Sequence, residues 1–174
     1  MNTEKITEIV FHELPTEWEI FTNLADSFMN IPEKVAALFI MVLRIYAVDK
    51  ELGLKMVSYL RHEEELSESE ISMTLDAPLR QASYLPLAYL KGSTPQNNYS
   101  PSTPYVITVK ESREKSKSRK QKTLYIGCPG DGTYRPVTLF KIKKRKAKNK
   151  NLLGDPWFIS DYTSLMLPVV PPVK

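Results

Sequence analysis

The segment YLKGSTPQNNYSPSTPY, Tyr89–Tyr105, divides the chain into two halves with different hydrophobic periods. Before it, apolar residues recur at the spacing of amphipathic helices, and after it they alternate as in half-buried strands. Helices followed by a meander of strands are typical of an α+β fold in which the helices gather on one face of an antiparallel sheet. The sequence therefore predicts two layers joined by an ordered connector, residues 84–105.

The composition of the connector predicts a fixed path without regular secondary structure. Prolines restrict φ at three positions and push the preceding residues toward extended conformations. These prolines are Pro95, Pro101 and Pro104. Tyr89, Tyr99 and Tyr105 fit two interpretations that the sequence leaves open. They are anchors that pack the connector between the layers, or, together with Asn98, they form the rim of a ligand pocket.

The helical half, residues 15–80, is predicted to hold three to four helices. VAALFIMVLRIYAV, Val35–Val48, is apolar nearly all round, which is typical of a central helix covered on several sides. Capping signatures predict helix starts at Thr16 with Glu19, Asn30 with Glu33, and Ser67 with Glu70. The predicted helices cover residues 16–28, 32–48, 50–61 and 67–75.

The second half, residues 105–164, is predicted to form an antiparallel sheet of four to five strands. Four segments alternate between apolar and polar residues: Tyr105–Lys110, Lys122–Gly127, Pro136–Ile142 and Trp157–Ser164. Near the N-terminus, ITEIVFHEL, Ile6–Leu14, adds an edge strand or an arm. The Pro-rich tail, residues 165–174, is expected to lie extended along the surface. We interpret residues 1–174 as one domain, and its order of helices and strands is shared with the nuclear-transport-factor-2-like cone.

Charge is distributed unevenly along the chain, although the net charge is only +4. Residues 1–88 hold 7 basic and 15 acidic side chains, and residues 89–174 hold 17 basic and 5 acidic ones. The basic tract KIKKRKAKNK includes Lys143, Lys144, Arg145 and Lys146, and SREKSKSRKQ forms a second basic tip. These tips are solvated hairpin ends, or they bind an anionic partner such as a nucleic acid.

The sequence holds no strong catalytic or metal-binding constellation. It has one cysteine, Cys128, and two histidines, His12 and His62, which are too few for an ordinary zinc site. The glycines of GCPGDGTYR lie between strands and do not form a phosphate-binding motif. The sequence therefore predicts no metal site and no cofactor, and it favours a protein that is not an enzyme.

Asp161 is a candidate for a carboxylate with a chemical role. It shares a strand face with Trp157 and Ile159 if the strand alternates regularly. A carboxylate on a face covered by helices needs a partner, and Arg44 and Arg135 are candidates. The pair is then a buried ion pair or part of a cone-like pocket.

The N-terminal sequence predicts a cytoplasmic protein. MNTEKITEIVFHELPTEWEIF carries acidic residues where a signal peptide has a basic segment followed by an apolar one. The most apolar stretch, Val35–Val48, is too short to span a bilayer and contains Arg44. No association with a membrane is expected.

Three long segments carry a resemblance to a known family: residues 13–61, residues 84–105, and RPVTLFKI with WFISDYTSLM. They are similar to a family of uncharacterised small proteins from gut Firmicutes, catalogued as a domain of unknown function. The chain departs from the family at Leu87–Leu90, where the family has Arg-Ser-Tyr-Phe and only Tyr89 is kept. Its basic tract is also longer. The resemblance implies a bacterial, intracellular protein and brings no activity, cofactor or site residue.

The sequence thus favours a non-enzymatic binding or protein-interaction module whose partner is another protein or a second copy of the chain. One alternative is a small-molecule binder or enzyme with a cone-like pocket. Its candidate ligand-binding residues are Tyr89, Asn98, Tyr99, Tyr105, Arg135 and Asp161. The other alternative is binding of an anion or nucleic acid through Lys143, Lys144, Arg145 and Lys146.

Overall fold

The computed structural model describes residues 4–62, 65–111 and 118–174, and these form an α+β fold. The elements in chain order are β1 (Ile6–Phe11), α1 (Trp18–Phe28), α2 (Pro32–Val48) and α3 (Lys50–Leu60), then α4, and then β2 (Tyr105–Glu111), β3 (Gln121–Cys128), β4 (Thr133–Lys141) and β5 (Trp157–Asp161). The run that we name α4 has an α-helical turn at Glu68–Glu70, a π-helical segment at Ile71–Asp76 and a second α-helical segment at Ala77–Gln81.

Helix α2 forms the centre of the core, as its apolar sequence predicts. Twelve of its 17 residues are buried, and it packs against all five strands and against α1 and α3. The crossing with α3 is close because Gly53 has no side chain. A Cβ atom at Gly53 would lie 2.3 Å from the Tyr46 Cα atom.

The capping predictions are partly confirmed. Ser67 accepts a hydrogen bond from the Glu70 N–H at 3.1 Å, as predicted. The predictions for Thr16 and Asn30 are wrong, because α1 begins after Glu17 and α2 begins after Ile31, and neither of these residues makes a side-chain cap. Pro32 occupies the first turn of α2, where its fixed φ favours a helix start and its missing N–H needs no acceptor.

The strands form one antiparallel sheet in the order β1-β2-β3-β4-β5. The predicted edge strand or arm is therefore an edge strand. The sheet's inner face, which packs against the helices, consists of buried side chains: Ile9, Phe11, Ile107, Val109, Leu124, Ile126, Cys128, Arg135, Val137 and Leu139. On the opposite, outer face, the side chains of β2, β3 and β4 are exposed or half-buried apart from Gly127.

The meander brings two connections to the same end of the sheet. The β2–β3 connection and the β4–β5 connection, residues 142–156, meet where the Lys141 N–H donates to the Lys120 carbonyl at 2.7 Å. The β4–β5 connection, predicted as an open hairpin tip, is a folded loop with a 3₁₀ turn at Lys144–Lys146 and a buried anchor at Ala147. Residues 112–117 of the other predicted tip lie outside the described part of the chain.

Candidate functional site

Arg135 on β4 is the most heavily bonded polar side chain of the predicted site. It faces the core and is only 7% exposed. Its guanidinium donates to Asp131 Oδ2 at 2.7 Å and to the Tyr89 hydroxyl at 3.2 Å. It also donates to the main-chain carbonyls of Leu167 at 2.5 Å and Pro168 at 2.9 Å. Arg135 therefore ties the β3–β4 turn, the connector and the C-terminal tail together.

The buried tyrosines of the connector bind the same tail. The Tyr89 hydroxyl donates to the Leu165 carbonyl at 2.5 Å, and the Tyr99 hydroxyl donates to the Val170 carbonyl. The Tyr99 ring stacks on Tyr84 with centroids 5.1 Å apart. The tail, predicted to lie extended on the surface, is thus held by hydrogen bonds from Tyr89 and Tyr99, two of the predicted pocket-rim residues.

The connector reaches this arrangement through its turn residues. Thr94 and Asn97 form a capping box around a short 3₁₀ helix, and Asn97 also donates to the Gly92 carbonyl at 2.7 Å. Asn98 and Tyr99 then take positive φ values of 56° and 50°, which reverse the chain and turn the Tyr99 ring into the core. Asparagine tolerates this conformation well, whereas a tyrosine adopts it only where its surroundings hold it.

Electrostatics support a structural role for this cluster. Partial burial disfavours ionisation of Asp131, but hydrogen bonds from Thr133 and Arg135 hold its pKa below the usual range. Burial raises the pKa of the Tyr89 hydroxyl well above its usual value, so the hydroxyl stays protonated and donates. The cluster is a partly buried ion pair between Arg135 and Asp131, 2.7 Å apart, which joins the β3–β4 turn to the connector and the tail.

Cys128 lies beside this cluster at the end of β3, and it is buried. Burial, with Asp131 nearby, raises the pKa of its thiol to about 11. Its Sγ lies 3.6 Å from the Ala88 carbonyl, to which it donates a weak hydrogen bond. A protonated, enclosed thiol is a poor nucleophile, so Cys128 acts as a packing residue.

The remaining predicted ligand-binding residues do not join Arg135. Asn98 is exposed and Tyr105 is half-buried at the start of β2, paired with Phe11. The expectation that Asp161 is buried beside Arg44 or Arg135 is wrong. Its carboxylate is exposed and accepts from the Thr163 N–H at 3.0 Å.

A β-bulge accounts for the position of Asp161. Ile159 lies opposite Leu139, but Asp161 lies opposite Thr138, so Ser160 is an extra residue on β5. One inserted residue reverses the alternation of side chains beyond it. Asp161 therefore points away from the face that Ile159 shares with the core.

The exposed basic residues lie in the two connections that meet at one end of the sheet. Lys143, Lys144, Arg145 and Lys146 are all exposed in the β4–β5 loop, and Arg119 and Lys120 are exposed in the neighbouring connection. Lys143 lies 3.7 Å from Asp155. Lys144, Arg145 and Lys146 make no ion pair with any residue that the structure describes. We call this cluster, 119–120 with 143–146, the basic end.

The outer face of the sheet carries aromatic side chains that were not among the predicted site residues. Tyr134 is 40% exposed, and Tyr125 is half-buried. Lys110 places its ammonium 4.2 Å from the centroid of the Tyr134 ring and 6.0 Å from that of Tyr125. The alternation of β3 and β4 would have identified both tyrosines as outward-facing.

Several cavities lie among the helices and loops, away from the Arg135 cluster, and two of them flank α3. An open groove of about 530 Å³ lies between α1, α3 and the start of α4, with Trp18, Leu54 and Ile71 in its walls. A second cavity of about 20 Å³ lies between α3 and the β4–β5 loop, beside His62 and Asn149. It is large enough for one water molecule. None of the predicted ligand-binding residues lines either cavity.

Within the described ranges, no three His, Cys, Asp or Glu side chains lie close enough together to hold a metal ion. Over the same residues, no helix has both the length and the apolar character needed to cross a bilayer.

The comparisons with known proteins place the chain in one family. A family model matches residues 13–173, so the chain belongs to the family described as Domain of unknown function (DUF6935). The match begins after β1. No curated protein and no solved structure matches the chain. The likeness to the nuclear-transport-factor-2-like cone therefore stays a prediction.

Proposed function

We propose that this protein is a non-enzymatic binding module and that its basic end binds nucleic acid through the phosphate backbone. The observation that carries the proposal is topological. Two basic connections that are separate in sequence meet at one end of the sheet, beside the hydrogen bond from Lys141 to Lys120. Lysine and arginine side chains that neutralise phosphates release the counterions condensed on the nucleic acid, and this makes binding strongest at low salt.

The Arg135 cluster supports binding over catalysis. The polar atoms of Arg135, Tyr89 and Tyr99 are engaged by protein partners, and the Cys128 thiol is protonated. The bacterial origin and the cytoplasmic location that the sequence implies belong to the same proposal, because nucleic acid is an abundant polyanion there. A protein partner or a second copy of the chain stays a prediction.

Fluorescence anisotropy with labelled oligonucleotides of about 20 nucleotides tests the proposal across a range of salt concentrations. The test variant replaces Lys143, Lys144, Arg145 and Lys146 with glutamine. The wild type should bind at low salt, with a logarithmic affinity that falls linearly with the logarithm of salt concentration. Loss of four phosphate contacts should lower the magnitude of that slope by about 3.

A matched control separates the basic end from net charge. It replaces Lys50, Lys55, Arg80 and Lys174, which are exposed residues of the helical layer and the tail, with glutamine. Both variants lose the same charge, so only the first should lose affinity. Equal losses, or no binding by the wild type at low salt, would contradict the proposal.

A further inference from the structure

The outer face of the sheet extends the basic end with features that phosphate binding does not require. Strand β4 runs about 20 Å from Phe140, next to the basic end, to Tyr134 at its far end. Tyr125 lies between them on the neighbouring strand, opposite Pro136. Phe140 packs against Phe158 with ring centroids 5.7 Å apart, so the aromatic rings available on this face are the half-buried Tyr125 and the exposed Tyr134.

Gly127 shapes the surface around Tyr134. It lies opposite Tyr134 in the β3–β4 register, and a Cβ atom on it would lie 3.4 Å from Tyr134 Cε1 and 3.4 Å from Thr108 Cβ. The tyrosine ring thus occupies the space above the glycine on the sheet surface. A ring held in this way presents a flat apolar surface to solvent at a low entropic cost.

Lys110 adds a positive charge to the same surface. Its ammonium lies over the Tyr134 ring at 4.2 Å and 3.7 Å from a Glu4 carboxylate oxygen. Cation–π contacts of this kind at exposed sites are weak and exchange readily with other ligands of the ring. Lys110 can therefore leave the ring face and meet a phosphate nearby.

We infer that this outer face is a stacking platform for single-stranded nucleic acid, with bases on Tyr134 and Tyr125 and phosphates at Lys110 and the basic end. The inference rests on the proposed function and specifies its ligand. Unpaired bases stack on aromatic rings displayed by open sheets, and this contact is tolerant of sequence. In a duplex the flat faces of the bases are already stacked on one another, so the tyrosines add nothing to its binding.

The charge pattern favours this occupant over a protein with an acidic surface. Asp161 and Glu8 also lie on or beside the outer face, and Glu8 is neutralised by Lys91 at 2.9 Å. The net excess of cations is concentrated at the basic end, whereas the surface around the two tyrosines is nearly neutral. A single strand of nucleic acid matches both parts, because its charged phosphates can contact the cations and its uncharged bases can stack on the rings.

The test compares single-stranded oligo(dT) with a duplex of equal length by anisotropy, using the wild type and Tyr134→Ala. Loss of one stacked base should lower the affinity for the single strand about tenfold and leave the affinity for the duplex and the salt slope unchanged. Tyr134→Phe should bind as the wild type does. The control Val10→Ala removes an exposed apolar side chain from the same face and should change neither affinity.

A reporter variant covers the case in which Tyr134→Ala fails to fold. Tyr134→Trp keeps a large ring, and its emission, after subtraction of the wild-type Trp18 and Trp157 signal, should be quenched when oligo(dT) binds. No quenching on binding overturns the inference, as do equal effects of Tyr134→Ala and Val10→Ala or equal loss of duplex binding. If the wild type binds neither nucleic acid, the proposed function itself fails.

Discussion

Replacing Arg135 with methionine tests whether the Arg135 cluster stabilises the fold. The substitution keeps an unbranched side chain of similar length and removes every donor. It leaves Asp131 and the carbonyls of Leu167 and Pro168 without the partners that lie 2.5 to 2.9 Å away in the wild type. We expect the protein to fold and to be less stable.

The size of the effect follows from the burial of the pair. Hydrogen bonds to charged groups contribute about 1.5–3 kcal/mol each, but the sum over four such bonds ignores desolvation of the guanidinium. Removing one member of a buried ion pair costs about 3–5 kcal/mol. The Asp131 side chain is 18% exposed and regains some water, so the lower end of that range applies. We expect a loss of about 3 kcal/mol in the free energy of unfolding.

Urea denaturation followed by tryptophan fluorescence measures this change. With a slope of about 2 kcal/mol per molar urea, the midpoint should fall by about 1.5 M. Asp131→Ala alone should cost less, and the two changes together should cost less than the sum of the single effects, because they remove one shared interaction. The control Arg145→Met alters an exposed arginine and should change stability by less than about 0.5 kcal/mol. A loss below about 1 kcal/mol for Arg135→Met would refute the reasoning.

Three further predictions concern packing, the thiol and pH. Gly53→Ala should destabilise the protein by about 2–3 kcal/mol in the same urea assay, because the added Cβ collides with the Tyr46 backbone. This loss should outweigh the higher helix propensity of alanine. Unchanged stability would show that α2 and α3 move apart at little cost. Cys128 should react with a disulfide reagent at mildly alkaline pH only at the rate of unfolding, and fast labelling in native buffer would contradict its burial. The Asp131 pKa is lowered in the folded state, so its stabilisation is complete above the unfolded value of about 3.9 and is lost as pH falls through the folded pKa. Thermal melts should show a smaller loss of stability in acid for Asp131→Asn than for the wild type, and identical acid profiles would rule out this linkage.

Much of the architecture could be predicted from the sequence because its hydrophobic periods are clear. The all-round apolar run of Val35–Val48 gave the central helix, and the alternating segments gave the strands of an antiparallel sheet. The predicted caps at Thr16 and Asn30 were wrong because a polar N-cap residue is favoured at the start of a helix but is not required there. Helix α1 begins directly after Glu17 and α2 directly after Ile31, and neither residue makes a side-chain cap.

The site was less predictable because its contacts join distant parts of the chain. The sequence suggested Tyr89 as an anchor or part of a pocket rim and Arg135 as a partner of Asp161 or part of a pocket, but no local signal shows that the carbonyls of the tail accept their hydrogen bonds. The bulge at Ser160 also has no marker in the sequence, and it alone reverses the expected side of Asp161. The outward position of Tyr134 follows from the alternation of β4 alone, whereas the position of Gly127 opposite it also requires the strand register.

The pairing of β1 with β2 has a consequence for how the molecule folds. Ile6 pairs with Lys110 and Phe11 with Tyr105, so roughly a hundred residues of helix and connector separate the partners along the chain. Bringing the ends of so long a segment together costs conformational entropy before the β1–β2 contacts form. Sheets rich in such pairings therefore fold slowly. The β2–β5 meander, whose partners are close in sequence, can form its ladder early. We therefore expect β1 to join the sheet last, and its amides to exchange with solvent before those of the other strands when the native state opens locally.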